Sequence, residues 1–184
     1  MRKKNEKLWN QLTSQLKDFK IEVGWFENTR YDDNTPVAGI AAIQNYGAHI
    51  HQTVTEKQRN FLHFIGIHLK KTTEDLNIVI PPRPFMDNAK KRIQGPEGYK
   101  IVMQELLRVF EAKQTMEQAA NRIGLWMQGV IQEEIKKISS PSLAESTIEA
   151  RERSYKSKSK NSSTKPLNAS GFMFATVQNK VTMK

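Results

Sequence analysis

The sequence predicts an α+β fold in which a small, mostly antiparallel sheet packs against one long helix. Three observations carry this expectation. Ile21, Val23 and Trp25 alternate through residues 20–27, the period of a strand with one buried face. Val181-Thr182-Met183 resumes β character near the other end of the chain and is expected to return and pair with that strand. Between them Met116, Ala119, Ala120, Ile123, Met127, Val130, Ile131 and Ile138 recur at helical spacing. A helix from Thr115 to Ile138 would run roughly 36 Å at 1.5 Å per residue. The 184 residues suit a single domain, 1–184.

Taken in order, Leu8, Trp9, Leu12, Leu16 and Phe19 place an amphipathic helix at the N-terminus, within residues 1–19. The strand follows, with Gly24 hinting at a bulge or close approach. Thr35-Pro36 reads as an N-cap hydroxyl and a proline at the first helical position, opening a short helix that stops at Tyr46-Gly47. Residues 48–80 form an inserted loop or hairpin. His49-Ile50-His51 and Thr53-Val54-Thr55 look extended, the run from Phe61 to Ile67 has no clean period, and Ile78-Val79-Ile80 is a short strand. The prolines of Pro81-Pro82-Arg83-Pro84-Phe85 lack N–H donors and force an irregular connector. A helix from Phe85 should end before Gly95-Pro96, and Tyr99 to Lys113 carries another helical stripe. Gly124 and Gly129 should let a neighbour approach the long helix. Residues 149–165 read as a basic, flexible arm, because Arg151, Arg153, Lys156, Lys158 and Lys160 alternate with polar residues that bury little. Phe172 to Val177 reads as β structure.

Composition narrows the function classes. Cysteine is absent, which removes disulfides, thiolate metal sites and cysteine nucleophiles. No apolar run exceeds four residues (Ile40 to Ile43), far below the roughly 20 that cross a bilayer, so no membrane partner is expected. The basic start lacks the apolar block of a secretory signal, and export is not expected. The formal charge of +10 favours polyanionic neighbours, either nucleic acid or an acidic protein surface.

No catalytic set emerges. His49 and His51 share one side of a strand but lack a third ligand, so they read as solvated or interface histidines. His63 and His68, five apart, share no helical face well. Glu133 and Glu134 are adjacent on a helix and point about 100° apart, which suits a solvated face rather than an acid–base pair. Trp25 and Trp126 read as core. The glycine, serine and histidine signatures of nucleotide-binding loops, hydrolases and zinc proteases are missing. Neither an enzyme nor a cofactor or metal is expected.

The order of motifs carries more than any single one. Val23-Gly24-Trp25-Phe26 comes first, then Thr35-Pro36-Val37-Ala38, Asn45-Tyr46-Gly47 and Ile80-Pro81-Pro82-Arg83-Pro84-Phe85. Ser139-Ser140-Pro141, Ser146-Thr147-Ile148 and Lys165-Pro166-Leu167 continue the string, with Gly171 before the last strand. It resembles the tail-completion and virion-morphogenesis proteins of tailed bacteriophages, over about residues 21–181. The resemblance implies a structural virion protein that completes the tail or joins it to the head at the neck, assembled in the host cytoplasm. It implies a homo-oligomeric ring, hexamer or dodecamer, around the DNA channel. Its partners would be the tail terminator or tail tube, the head connector, and DNA passing without sequence-specific binding. Extended loops or arms would serve ring assembly, and the interface residues would be Arg83, Phe85, Arg151, Arg153, Lys156, Lys158 and Lys160. Arg83 would meet a carboxylate and Phe85 an apolar pocket. The alternative is a basic nucleic-acid-binding accessory protein whose arm tracks phosphates.

Overall fold

A computed structural model describes residues 2–64, 68–156, 164–168 and 170–183. In chain order the elements are α1 (Arg2–Lys17), β1 (Phe19–Gly24), α2 (Val37–Tyr46), β2 (Ala48–Thr53), α3 (Glu56–Phe64), β3 (Asp75–Ile80), α4 (Phe85–Gln94), α5 (Pro96–Phe110), α6 (Met116–Lys137), α7 (Glu145–Lys156), α8 (Phe172–Ala175) and β4 (Gln178–Met183). The α+β class holds, with two small antiparallel sheets of two strands each and α6 as the long helix. Where the length predicts one core, the chain forms two compact units: Met1–Phe26, Phe85–Glu134 and Val177–Lys184 make the first, Glu27–Pro84 and Ile135–Thr176 the second.

In the first unit β1 pairs with β4 from Phe19↔Met183 to Gly24↔Gln178, so the C-terminal segment returns to pair with the first strand as expected, with Ile21 opposite Val181, while the strand ends at Gly24 and Trp25 lies beyond it. This ribbon lies on α6 at Gly124. A Cβ there would sit 3.4 Å from Ile21 Cγ2 and 3.0 Å from Asn179 Oδ1, and Asn179 Nδ2 donates to Gln128 Oε1 at 2.7 Å. Gly129, by contrast, faces open space, and the expectation that a neighbour crosses it is corrected. A capping box opens α6: Thr115 N–H donates to Gln118 Oε1 at 3.0 Å and Gln118 N–H to Thr115 Oγ1 at 3.2 Å. Ala119, Ala120, Ile123, Val130 and Ile131 of α6 are buried, as are Leu106 of α5 and Phe85 and Ala89 of α4.

One guanidinium ties three helices of this unit together. Arg92 of α4 donates to Glu97 of α5 at 2.8 and 3.0 Å, and to Glu133 and Glu134 of α6 at 2.9 and 2.8 Å. Its hydrogen bonds to Glu97, Glu134 and Glu133 hold its pKa above the ordinary value. Glu134 is only 6% exposed. The expectation of a solvated face holds for Glu133, whose side chain is 60% exposed, and is corrected for Glu134, where a residue 42 positions away carries the compensating charge.

In the second unit β2 and β3 form an antiparallel hairpin, Ala48↔Ile80 through Thr53↔Asp75, with α3 inside the connection. A second capping box starts α3, with Thr55 N–H donating to Gln58 Oε1 at 3.0 Å and Gln58 N–H to Thr55 Oγ1 at 3.2 Å. Arg59 then fixes the returning loop through Lys70 O and Thr73 O, at 2.9 and 2.6 Å.

Three local expectations are corrected in this unit. α2 begins at Val37, with Pro36 as its cap residue and no side-chain cap. Thr35 N–H donates instead to Asp33 Oδ1 at 3.0 Å, in a loop closed by the Arg30↔Pro36 bridge. Residues 172–175 form a turn of helix entered through Gly171 at φ 75°, not β structure, since a four-residue apolar run carries no period to separate the two. The basic tract begins as helix α7, because Glu145, Glu149, Ala150, Arg151 and Glu152 are good helix formers and Glu145 sits favourably in the first turn. Residues 157–163 of the expected arm lie outside the described residues.

The two glycines of α6 separate propensity from packing. In urea unfolding of the full chain, Gly129→Ala should raise stability by about 0.5–1 kcal/mol, since it gains helix propensity in open space. Gly124→Leu should lower it by about 1–3 kcal/mol by pushing Ile21 and Asn179 off the helix.

Candidate functional site

The second unit holds a groove of about 770 Å³ whose walls come from β3, the loop after α6, the start of α7 and the turn around α8. Its position follows from Gly47. That residue ends α2 at φ 76°, and a Cβ on it would lie 2.7 Å from Ile80 O and 3.0 Å from Pro82 N, so α2 and the proline connector touch at backbone distance. The connector's donor is Arg83, whose N–H reaches Gln44 O at 2.8 Å, because Pro81, Pro82 and Pro84 have none to give.

Arg83 is the centre of the site. Its side chain donates from Nε to Pro141 O at 3.0 Å, from Nη1 to Gln44 Oε1 at 3.0 Å and from Nη2 to Ser142 O at 3.1 Å. The residue is 3% exposed, and among the described residues no carboxylate pairs with it. Burial pulls its pKa below the ordinary value. Arg151 of α7 lines the same groove and donates from Nη1 to Lys165 O at 3.1 Å. Its pKa is also lowered, first by desolvation and then by the positive charge of Arg83. The groove's one lining carboxylate among the described residues, Asp33, is held below its ordinary pKa by the Thr35 N–H and hydroxyl. Tyr31 stacks at 5.1 Å on Phe172 at the rim, and burial raises its pKa. Leu167 supplies buried apolar floor at φ 63°, a left-handed conformation that a branched residue holds only when its surroundings demand it.

The structure sorts the sequence-predicted residues. Arg83 and Arg151 come together in the groove. Among the described residues Arg83 meets two backbone carbonyls and an amide rather than a carboxylate, and it offers little open surface. Phe85 is withdrawn as an interface anchor: it is 0% exposed, opens α4 in the first unit and packs edge-on against Trp25 at 6.1 Å. Arg153 and Lys156 fall on α7, with side chains outside the described residues, and Lys158 and Lys160 lie outside them altogether. His63 and His68 share no helical face, as expected, because α3 ends at Phe64, yet their Nδ1 atoms lie 2.9 Å apart. His51 Nδ1 lies 2.7 Å from Asn77 Oδ1 across the hairpin. Among the described residues no group of three His, Asp or Glu could hold a metal ion, and no helix is long and apolar enough to cross a membrane.

Chemically, the groove supplies positive charge and N–H donors beside apolar wall. That is equipment for holding an anionic group, since a guanidinium donates without giving up its proton at neutral pH. The sequence points to Arg83 through the three prolines around it, but its acceptors lie 39 to 59 positions away and carry no local signal.

Gly47→Ala should cost about 1–3 kcal/mol in urea unfolding, the usual penalty for a side chain forced into left-handed backbone against a carbonyl. Gly39→Ala, inside α2 with only ordinary contact to Pro36, serves as the control and should change stability by less than about 1 kcal/mol. No protein-family model, curated protein or solved structure matches this chain.

Proposed function

We propose that this chain is a structural protein of a tailed-phage virion, completing the tail or joining it to the head at the neck as a ring of subunits around the DNA channel. The motif order from Val23 to Gly171 supports the family reading. One structural observation carries the subunit-bonding role: α3 buries none of its residues. Phe61 and Phe64 are 60% and 87% exposed on it, and Val79 is 61% exposed on β3 of the same insert. An amphipathic helix that leaves two phenylalanines exposed among the described residues is suited to being covered by a neighbour. Ring contacts are heterologous, one patch meeting a different one on the next subunit, and an inserted hairpin with an uncovered helix is the kind of projection such contacts use.

The function is bonding rather than chemistry, and the charge of +10 serves a subunit lining a path for DNA. The alternative, a free nucleic-acid-binding protein, rests on that charge alone.

Particles produced without this protein should appear as filled heads and separate tails by electron microscopy, and adding the purified chain should restore joining. A Phe61→Ser, Phe64→Ser double variant should remain folded by circular dichroism yet fail to restore it. Complete infectious particles formed in the protein's absence would rule the reading out. Tight binding of the free chain to duplex DNA, with a steep salt slope, would favour the alternative.

A further inference from the structure

The geometry points to a specific occupant for the Arg83 groove: an extended segment of a different protein that lies along the open edge of β3 and places one carboxylate between Arg83 and Arg151. This goes beyond the neck assignment and stands on the second unit alone.

Three observations combine. First, Arg83 is a buried charge with no carboxylate partner among the described residues. Three of its five N–H donors are spent on neutral acceptors, and taking a guanidinium from water costs several kcal/mol that carbonyls alone offset poorly. Arg151 adds a second positive charge to the same groove, near enough for the two to repel. An anion that enters the groove to compensate Arg83 would lie in the field of both positive charges.

Second, the groove follows a strand. Asn77 to Pro81 line it consecutively, which side chains of one face alone could not do, so it runs along the edge of β3. Among the described residues β3 pairs only with β2, leaving its other edge unpaired. An unpaired edge accepts an added strand through main-chain hydrogen bonds, while alternate side chains choose the partner.

Third, the walls are apolar at strand spacing. Ile78 and Ile80 flank the exposed Val79, while Leu143 and the buried Leu167 and Met173 complete the lining. A segment alternating β-branched residues with one Asp or Glu matches this wall and the charge together. Charge also argues against a second copy: the chain is strongly basic, and pairing two β3 edges would bring two sets of guanidiniums face to face.

The test is selection of a random octapeptide display library on the full-length chain, followed by fluorescence anisotropy of the enriched peptides. Enriched sequences should alternate β-branched and polar residues around one Asp or Glu. Replacing that acid by its amide should weaken binding about tenfold, as loss of a hydrogen-bonded charge pair does. Arg151→Gln should weaken the acidic peptide similarly and leave its amide counterpart unchanged. Arg83→Gln should do the same, and Arg151→Gln keeps the test decisive if Arg83→Gln does not fold. Peptides without an acid preference, no enrichment over background, or equal binding by Arg151→Gln would each overturn the proposal. Light scattering that shows dimers abolished by Val79→Lys would assign the edge to a second copy and overturn it equally.

Discussion

The constraint on which the second unit depends is the burial of the Arg83 guanidinium. A charge taken out of water demands partners, and here they are a glutamine amide from α2 and two carbonyls from the loop after α6. Those acceptors are distant in sequence, so satisfying one side chain fixes three segments against each other. The surrounding prolines sharpen the demand. With Pro81, Pro82 and Pro84 unable to donate, Arg83 holds the connector through its main-chain N–H to Gln44 O and through its side chain. Gly47 completes the arrangement by letting the end of α2 touch Ile80 and Pro82.

Arg92 does in the first unit what Arg83 does in the second, with opposite electrostatics. It joins three helices through three carboxylates, so its charge is more than matched inside its own cluster. Arg83 joins its segments through neutral oxygens, and among the described residues no carboxylate pairs with it. The contrast separates a guanidinium matched by charge from one satisfied by neutral acceptors. Phe85, two residues beyond Arg83, shows how sharply the chain divides: it faces Trp25 in the first unit, while Arg83 belongs to the second.

Much of the fold was legible because it is written in local periods. The stripes of α1, α5 and α6, the alternation at Ile21, Val23 and Trp25, and the stop at Tyr46-Gly47 each need only neighbouring residues to be read. The helix α3 was also written locally, in the Thr55 and Gln58 capping box, yet the aperiodic run beginning at Phe61 obscured it. Phe172 to Ala175 is too short to carry a period, and in α7 the serines and lysines mask the helix-forming Glu, Ala and Arg. The site was half legible. Arg83 and Arg151 stand out by residue type, but their meeting is a tertiary fact with no trace in the spacing. The same holds for Arg92 and Glu134, which no helical wheel brings together.

The physical character of the groove bears on the kind of work it can do. Acid–base or nucleophilic chemistry needs a group that changes protonation near neutral pH, or an activated nucleophile beside a base. The groove's charged side chains among the described residues are two arginines, which stay protonated even with pKa values lowered by burial, and Asp33, whose pKa is lowered and which is engaged by Thr35. Such groups bind and orient but do not shuttle protons. For the segment proposed to dock here, an open strand edge would add directional hydrogen bonds, the apolar wall would add area, and the buried charge would add discrimination, since a segment without an acid would leave Arg83 uncompensated in a still drier site. Edge, wall and charge together would then select that segment by shape and sign, with no group required to change its protonation.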